Sequence, residues 1–258
     1  MGSTGFWSVI PYFSPSRLEE VYAPAASELS QSLRRSVAFR TASSWDRFFA
    51  QLKAQQYDIA LVHAFFYVPA ADEFGYVPLA RMREPFTAVV VVPQDSPIRN
   101  AEELRGKVIA TPPPYLPAVH LGKKALRDRG LVRGRTVTFE ETRTVDACLQ
   151  QALIGATQAC IAPPFAVGAF QASYGVRLRI LLESEPLPSP VFIVHRRVPE
   201  PERERIRAAL LEWNRTAAGQ AVLKSINTQA LVPARDEDYQ PVRIFVRGLD
   251  EPWRPSVP

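Results

Sequence analysis

Few residues in this chain are equipped for chemistry, and they are scattered. Cys148 and Cys160 stand 12 positions apart, outside the spacings that hold zinc. They therefore make one disulfide in an oxidising compartment or remain two buried thiols. His63, His120 and His195 are far apart in sequence and form no metal motif. Asp236-Glu237-Asp238 is a run of carboxylates, but Tyr239 and Pro241 follow it, which suits a solvated loop or helix start. No GxSxG, GxGxxG, Walker loop or HExxH occurs. The expectation is a protein that catalyses nothing and needs neither cofactor nor metal.

The elements that would position these residues follow a β-α rhythm. Phe6–Tyr12 reads as a short buried strand. Leu18, Val21, Tyr22, Ala25, Ala26 and Leu29 then recur at helical spacing. Ser36–Arg40 alternates like a strand. Ser43 and Ser44 can cap a helix carrying Trp45, Phe48, Phe49 and Leu52, and Tyr57–Val62 is an apolar strand. A second rhythm runs inside the first, from the strand at Thr87–Val92 to the one at Arg177–Leu182. The three prolines of Glu185–Pro190 then force an extended connection. A strand at Val191–Val194 and a helix from about Glu200 resume the first rhythm. This pattern predicts an α/β fold of two lobes, each a mixed, mostly parallel sheet flanked by helices. Lobe one is expected over 5–85 plus 190–246, lobe two over 86–189, and a loose tail over 247–258. The chain would cross near Arg83–Phe86 and again near Pro186–Pro190.

Bulk properties narrow the partners. Of 258 residues, 47% are hydrophobic and 22% charged, which is ordinary for a globular protein, and no apolar run is long enough to span a membrane. The net charge of +5 is spread over arginines interleaved with glutamates, so no nucleic-acid partner is expected.

Four segments resemble the phosphonate-binding type of periplasmic solute-binding protein that serves ABC transporters. They are Val9-Ile10-Pro11-Tyr12; Tyr57-Asp58-Ile59-Ala60 ahead of Phe65-Phe66-Tyr67; Asp95-Ser96-Pro97-Ile98 with Leu104-Arg105-Gly106-Lys107; and Ser184 with Pro186, Pro188, Pro190 and Phe192. The likeness covers roughly Phe6 to Val246. It implies a type 2 periplasmic-binding fold with two hinge crossings, a ligand cleft and closure on binding. It further implies a permease as partner, a monomer, and a periplasmic location reached by an export signal already removed.

Two departures from that family bear on the ligand. Where the family places Ser, Thr and Gly at a helix N-terminus to hold an oxyanion, this chain has Thr111-Pro112-Pro113-Pro114-Tyr115-Leu116-Pro117. Proline has no N–H to donate. Where the family often has Gly-Pro after the third strand, this chain has His63-Ala64-Phe65-Phe66-Tyr67. Ligands of open α/β sheets bind at the carboxyl ends of strands. The expected ligand contacts are therefore Tyr12, Phe13, Ser43, Trp45, His63, Phe65, Phe66, Tyr67, Thr111, Pro113, Tyr115, Thr142, Pro164 and Phe165. For Trp45 and Phe165, core packing stands level with ligand contact. So many rings suggest an apolar or amphipathic ligand, lipid- or sterol-like. A small oxyanion (phosphonate, phosphate or phosphite) and a ligand-sensing role in a signalling protein are the alternatives.

Overall fold

The computed structural model describes residues 5–11 and 15–255. The chain runs β1 (Gly5–Val9), α1 (Pro15–Leu33), β2 (Val37–Arg40), α2 (Trp45–Lys53), β3 (Ile59–Val62), α3 (Ala64–Asp72) and β4 (Tyr76–Met82). It continues through β5 (Val89–Pro93), β6 (Val108–Thr111), α4 (Pro117–Arg127), β7 (Thr138–Glu141), α5 (Val145–Leu153), β8 (Ala159–Ala162), α6 (Pro164–Tyr174) and β9 (Leu178–Glu183). The last stretch holds β10 (Val191–His195), α7 (Glu200–Glu212), α8 (Ala217–Ser225), β11 (Leu231–Pro233) and α9 (Gln240–Arg247). Among the described residues, no helix is long and apolar enough to cross a membrane.

The elements separate into two compact units. Unit 1 takes the chain up to Pro85, then Pro188–Gly248 and the stretch from Arg254; unit 2 takes Phe86–Leu187 and Leu249–Trp253. The C-terminal stretch is thus divided between the units, and it carries ion pairs. Glu251 meets Lys123 and Arg133 in unit 2, and Arg254 meets Glu73 in unit 1.

Unit 1 is a six-stranded sheet in the order β11-β4-β10-β3-β1-β2. β1, β2 and β3 pair in parallel, whereas β10 lies antiparallel between β3 and β4. Parallel pairing is thus confined to the β-α-β stretch, where helical crossovers return the chain to the same end. Trp7 anchors the core. It is fully buried, stacked on Phe192 at 5.7 Å and set edge-on to Tyr22 at 5.5 Å. The Ser44 hydroxyl caps α2 by accepting from Arg47 N at 3.1 Å.

Strands β4 and β11 and helices α3 and α9 of unit 1 escape the sequence reading. β4 contains Pro78, which ordinarily argues against a central strand. The sheet accommodates it because the β4/β10 register shifts at Phe192/Ile193, opposite Pro78. Helix α3 is buried from Ala64 to Ala70. With no polar face, it shows no helical periodicity.

Unit 2 is a five-stranded sheet in the order β7-β6-β8-β5-β9, with β6 parallel to β7 and β8, and β5 antiparallel to β8 and β9. Thr144 caps α5 by accepting from Ala147 N at 3.0 Å. A disulfide joins Cys148 on α5 to Cys160 on β8, with a Cα separation of 5.6 Å. Both cysteines are fully buried beside Val89, Val91, Leu149 and Phe170. At the boundary of this unit, Phe86 and Leu187 exchange a reciprocal pair of backbone hydrogen bonds, both 2.9 Å.

Helix α4 approaches β8 closely through Gly122, where a Cβ would stand 2.4 Å from Ile161 Cγ2. The Gly122→Ala variant is expected to lose about 1–2 kcal/mol by overpacking. Ile161→Ala in the same chain should recover part of that loss, read as a denaturant midpoint above the sum of the single effects. Purely additive losses would mean that the helix meets something other than Ile161.

Candidate functional site

The carboxyl ends of the strands place the candidate residues in two separate sets. Tyr12 and Phe13 lie outside the described residues.

In unit 1, the chain leaving β2 reaches exposed Ser43, the cap Ser44 and half-buried Trp45. The chain leaving β3 reaches His63, which caps α3. His63 is 3% exposed, and its Nδ1 accepts from Phe66 N at 3.2 Å. Burial pushes this imidazole down to about 3, so the ring is neutral at ordinary pH. With Nδ1 accepting, the proton sits on Nε2. That Nε2 is buried and meets no hydrogen-bond partner among the described residues. An unmet buried donor costs about 1–3 kcal/mol, which gives the position meaning. Trp45 stacks on the imidazole at 5.9 Å, Phe66 lies at 4.3 Å and Phe65 at 6.3 Å.

The remaining rings of this stretch are structural in their contacts. Phe65, Phe66 and Tyr67 expose no surface. Phe65 packs on Phe245 at 5.8 Å. Tyr67 donates to Asp236 Oδ1 at 2.6 Å and packs on Tyr239 at 4.3 Å. Arg243, bonded to both Asp72 and Asp236, completes that network. The structure therefore brings Trp45, His63, Phe65 and Phe66 together and turns Tyr67 toward α9.

In unit 2, Thr111 ends β6, and its carbonyl accepts from both Thr142 N (2.8 Å) and Thr142 Oγ1 (3.0 Å). The ends of β6 and β7 are thereby tied. The loop from Pro112 leads to half-buried Pro113 and Tyr115. It is pinned where His120 Nε2–H donates to the Pro114 carbonyl at 2.7 Å. Helix α4 starts without a side-chain cap and with Pro117 in its first turn; α6 likewise starts at Pro163-Pro164. Phe165 is 42% exposed, so it is no core residue. Donors are thus sparse at these two helix starts. In unit 1, exposed Ser43 and the unmet His63 Nε2–H stand as donors. Sequence reading found His63 but not its role, because only burial and the Phe66 bond fix its tautomer. Among the described residues, no three His, Cys, Asp or Glu side chains could hold a metal ion together.

Residues 7–239 match the family model described as ABC transporter, phosphonate, periplasmic substrate-binding protein. No curated protein matches the sequence. Among solved structures, a binding-protein component of an ABC phosphonate transporter from Pseudomonas aeruginosa has a TM-score of 0.82 at 11% identity, over 95% of this chain and 86% of that one. PhnD1 of Prochlorococcus marinus, solved in complex with methylphosphonate, has a TM-score of 0.79 at 14% identity, over 95% and 97%. A Xanthomonas citri protein bound to ATP has a TM-score of 0.75 at 15% identity, over 96% and 97%.

Proposed function

Because this chain belongs to the phosphonate periplasmic substrate-binding family of ABC transporters, we propose that it captures a small phosphonate-class oxyanion and passes it to a membrane permease. The family is one of periplasmic binding proteins with the two-lobe type 2 fold. The expectation of a lipid- or sterol-like ligand is corrected: the family match and the phosphonate-transporter neighbours support the oxyanion alternative instead. That expectation weighed the lost donors of one proline loop and left those of the other strand ends uncounted. It also counted Phe65, Phe66 and Tyr67 as a pocket wall, although their surfaces are spent on the core of unit 1.

The observation that carries the oxyanion reading is the unmet Nε2–H of His63 at the start of α3. A fixed, neutral donor at a helix N-terminus suits an oxyanion. An apolar ligand would leave that donor unpaired. Calorimetric titration with methylphosphonate, 2-aminoethylphosphonate and phosphate should give a dissociation constant of about 10 μM or tighter for at least one of them. Silence from all three up to about 1 mM, with the protein folded, would overturn the reading.

A further inference from the structure

Unit 2 holds a second feature that ligand capture at the strand ends does not use. Helix α4, β7 and the returning segment at Leu249–Glu251 frame a half-open cavity of ≈ 190 Å³. Four cations line it, Lys123, Lys124, Arg127 and Arg133, against two acids, Asp250 and Glu251. Glu251 fills one place among them. Its carboxylate meets Lys123 Nζ at 2.5 Å and Arg133 Nη1 at 2.7 Å. The side chains of Lys123 and Glu251 are only 17% and 29% exposed, so the pair is partly withdrawn from water. Lys123 also lies over the face of Phe139, 5.1 Å from the ring centroid.

The charges do not balance. Lys124 is taken by an ion pair with Asp128 one turn along the helix. Arg127 forms no side-chain hydrogen bond or ion pair among the described residues. A concave site with surplus positive charge concentrates anions; with Lys124 matched by Asp128, three lining cations face the two acids Asp250 and Glu251.

We propose that this cavity is a second anion site, built for a small polyanion bearing two oxyanion groups, with Glu251 as its built-in occupant. One oxyanion group would replace Glu251 between Lys123 and Arg133, and the other would reach Arg127. Glu251 is tethered, so it competes at a high effective concentration. An external anion is therefore weak until that competition is removed. The proposal is independent of what the strand ends bind.

Pyrophosphate and malonate separate phosphate from carboxylate chemistry as probes for calorimetric titration of the full chain. The Glu251→Gln variant should bind one or both at least about tenfold tighter than the parent, a gain of about 1.4 kcal/mol. Adding Arg127→Ala should abolish that gain, and this change breaks no existing ion pair. Should Glu251→Gln fail to fold, Arg127→Ala alone decides, by weakening pyrophosphate or malonate binding at least about fivefold. Equal affinities in parent and Glu251→Gln, or a gain that survives Arg127→Ala, would overturn the proposal. Loss of methylphosphonate binding bears on the strand-end reading alone.

Discussion

Replacing both Cys148 and Cys160 by alanine should cost unit 2 about 3 kcal/mol. The bond closes a loop of 12 residues, and constraining a loop of that size in the unfolded chain stabilises by about 3 kcal/mol. Alanine is the informative substitution because both positions are fully buried among apolar neighbours, where serine would add an unpaired hydroxyl. The loss should appear as faster amide exchange in α5 and β8 and a lower denaturant midpoint. The bond itself is read by mass. The denatured, unreduced protein should take up no alkylating reagent, and the reduced protein should take up two equivalents. Two adducts without reductant would mean two free thiols.

Acid should erode stability through His63 by about 1.4 kcal/mol per pH unit between pH 6.5 and 4, roughly 3 kcal/mol in all. In the unfolded chain this imidazole takes its proton near 6.5; in the folded protein, burial holds it off to about 3. Between those values the unfolded state binds more protons, so stability is present above 6.5 and lost as the pH falls. His120 and His195 are shifted downward too, chiefly by burial, and add to the slope with the same sign. Glu84, Asp236 and Glu251 are also held below the carboxylate range: hydrogen bonds to neighbours outweigh the opposing effect of burial in each. Their contributions begin only below about 4.5. The histidine part is therefore read most cleanly between pH 6.5 and 5. In His63→Asn, the asparagine can still accept from Phe66 N as a helix cap but does not titrate. Its urea-measured stability should fall less steeply, by about 1.4 kcal/mol per pH unit. An unchanged slope would show that His63 is already protonated in the fold or is reached by water.

The parts of the fold that the sequence displayed are those with local chemistry. Ser44 announces its helix because a hydroxyl accepting from the third residue on is a local device. The β-α rhythm is likewise local, since each amphipathic helix must cover a sheet face. The parts that stayed hidden depend on partners far along the chain. Strand β4 tolerates Pro78 only because β10, more than a hundred residues later, shifts its register there. The apolar run at Ala64–Ala70 gives no period because both sides of α3 are covered. The site divides in the same way. Residue types and strand ends were visible, but whether a ring faces a ligand or a core is decided by packing. Tyr67 is spent on Asp236 and Tyr239 from the distant C-terminal part of the chain, while Phe165 stands in solvent.

The position of β10 has a consequence for how the molecule comes into being. Unit 2 is supplied almost entirely by one uninterrupted stretch, Phe86–Leu187, whereas unit 1 needs Pro188–Gly248 as well as the first 85 residues. β10 lies between β3 and β4. Until it pairs, those two strands expose unpaired edges, the surfaces most prone to joining a neighbouring chain. The stretch made first is thus completed last, and the middle of the chain can reach its final form while the beginning still waits. A chaperone that shields the unfolded chain would be needed longest by β3 and β4.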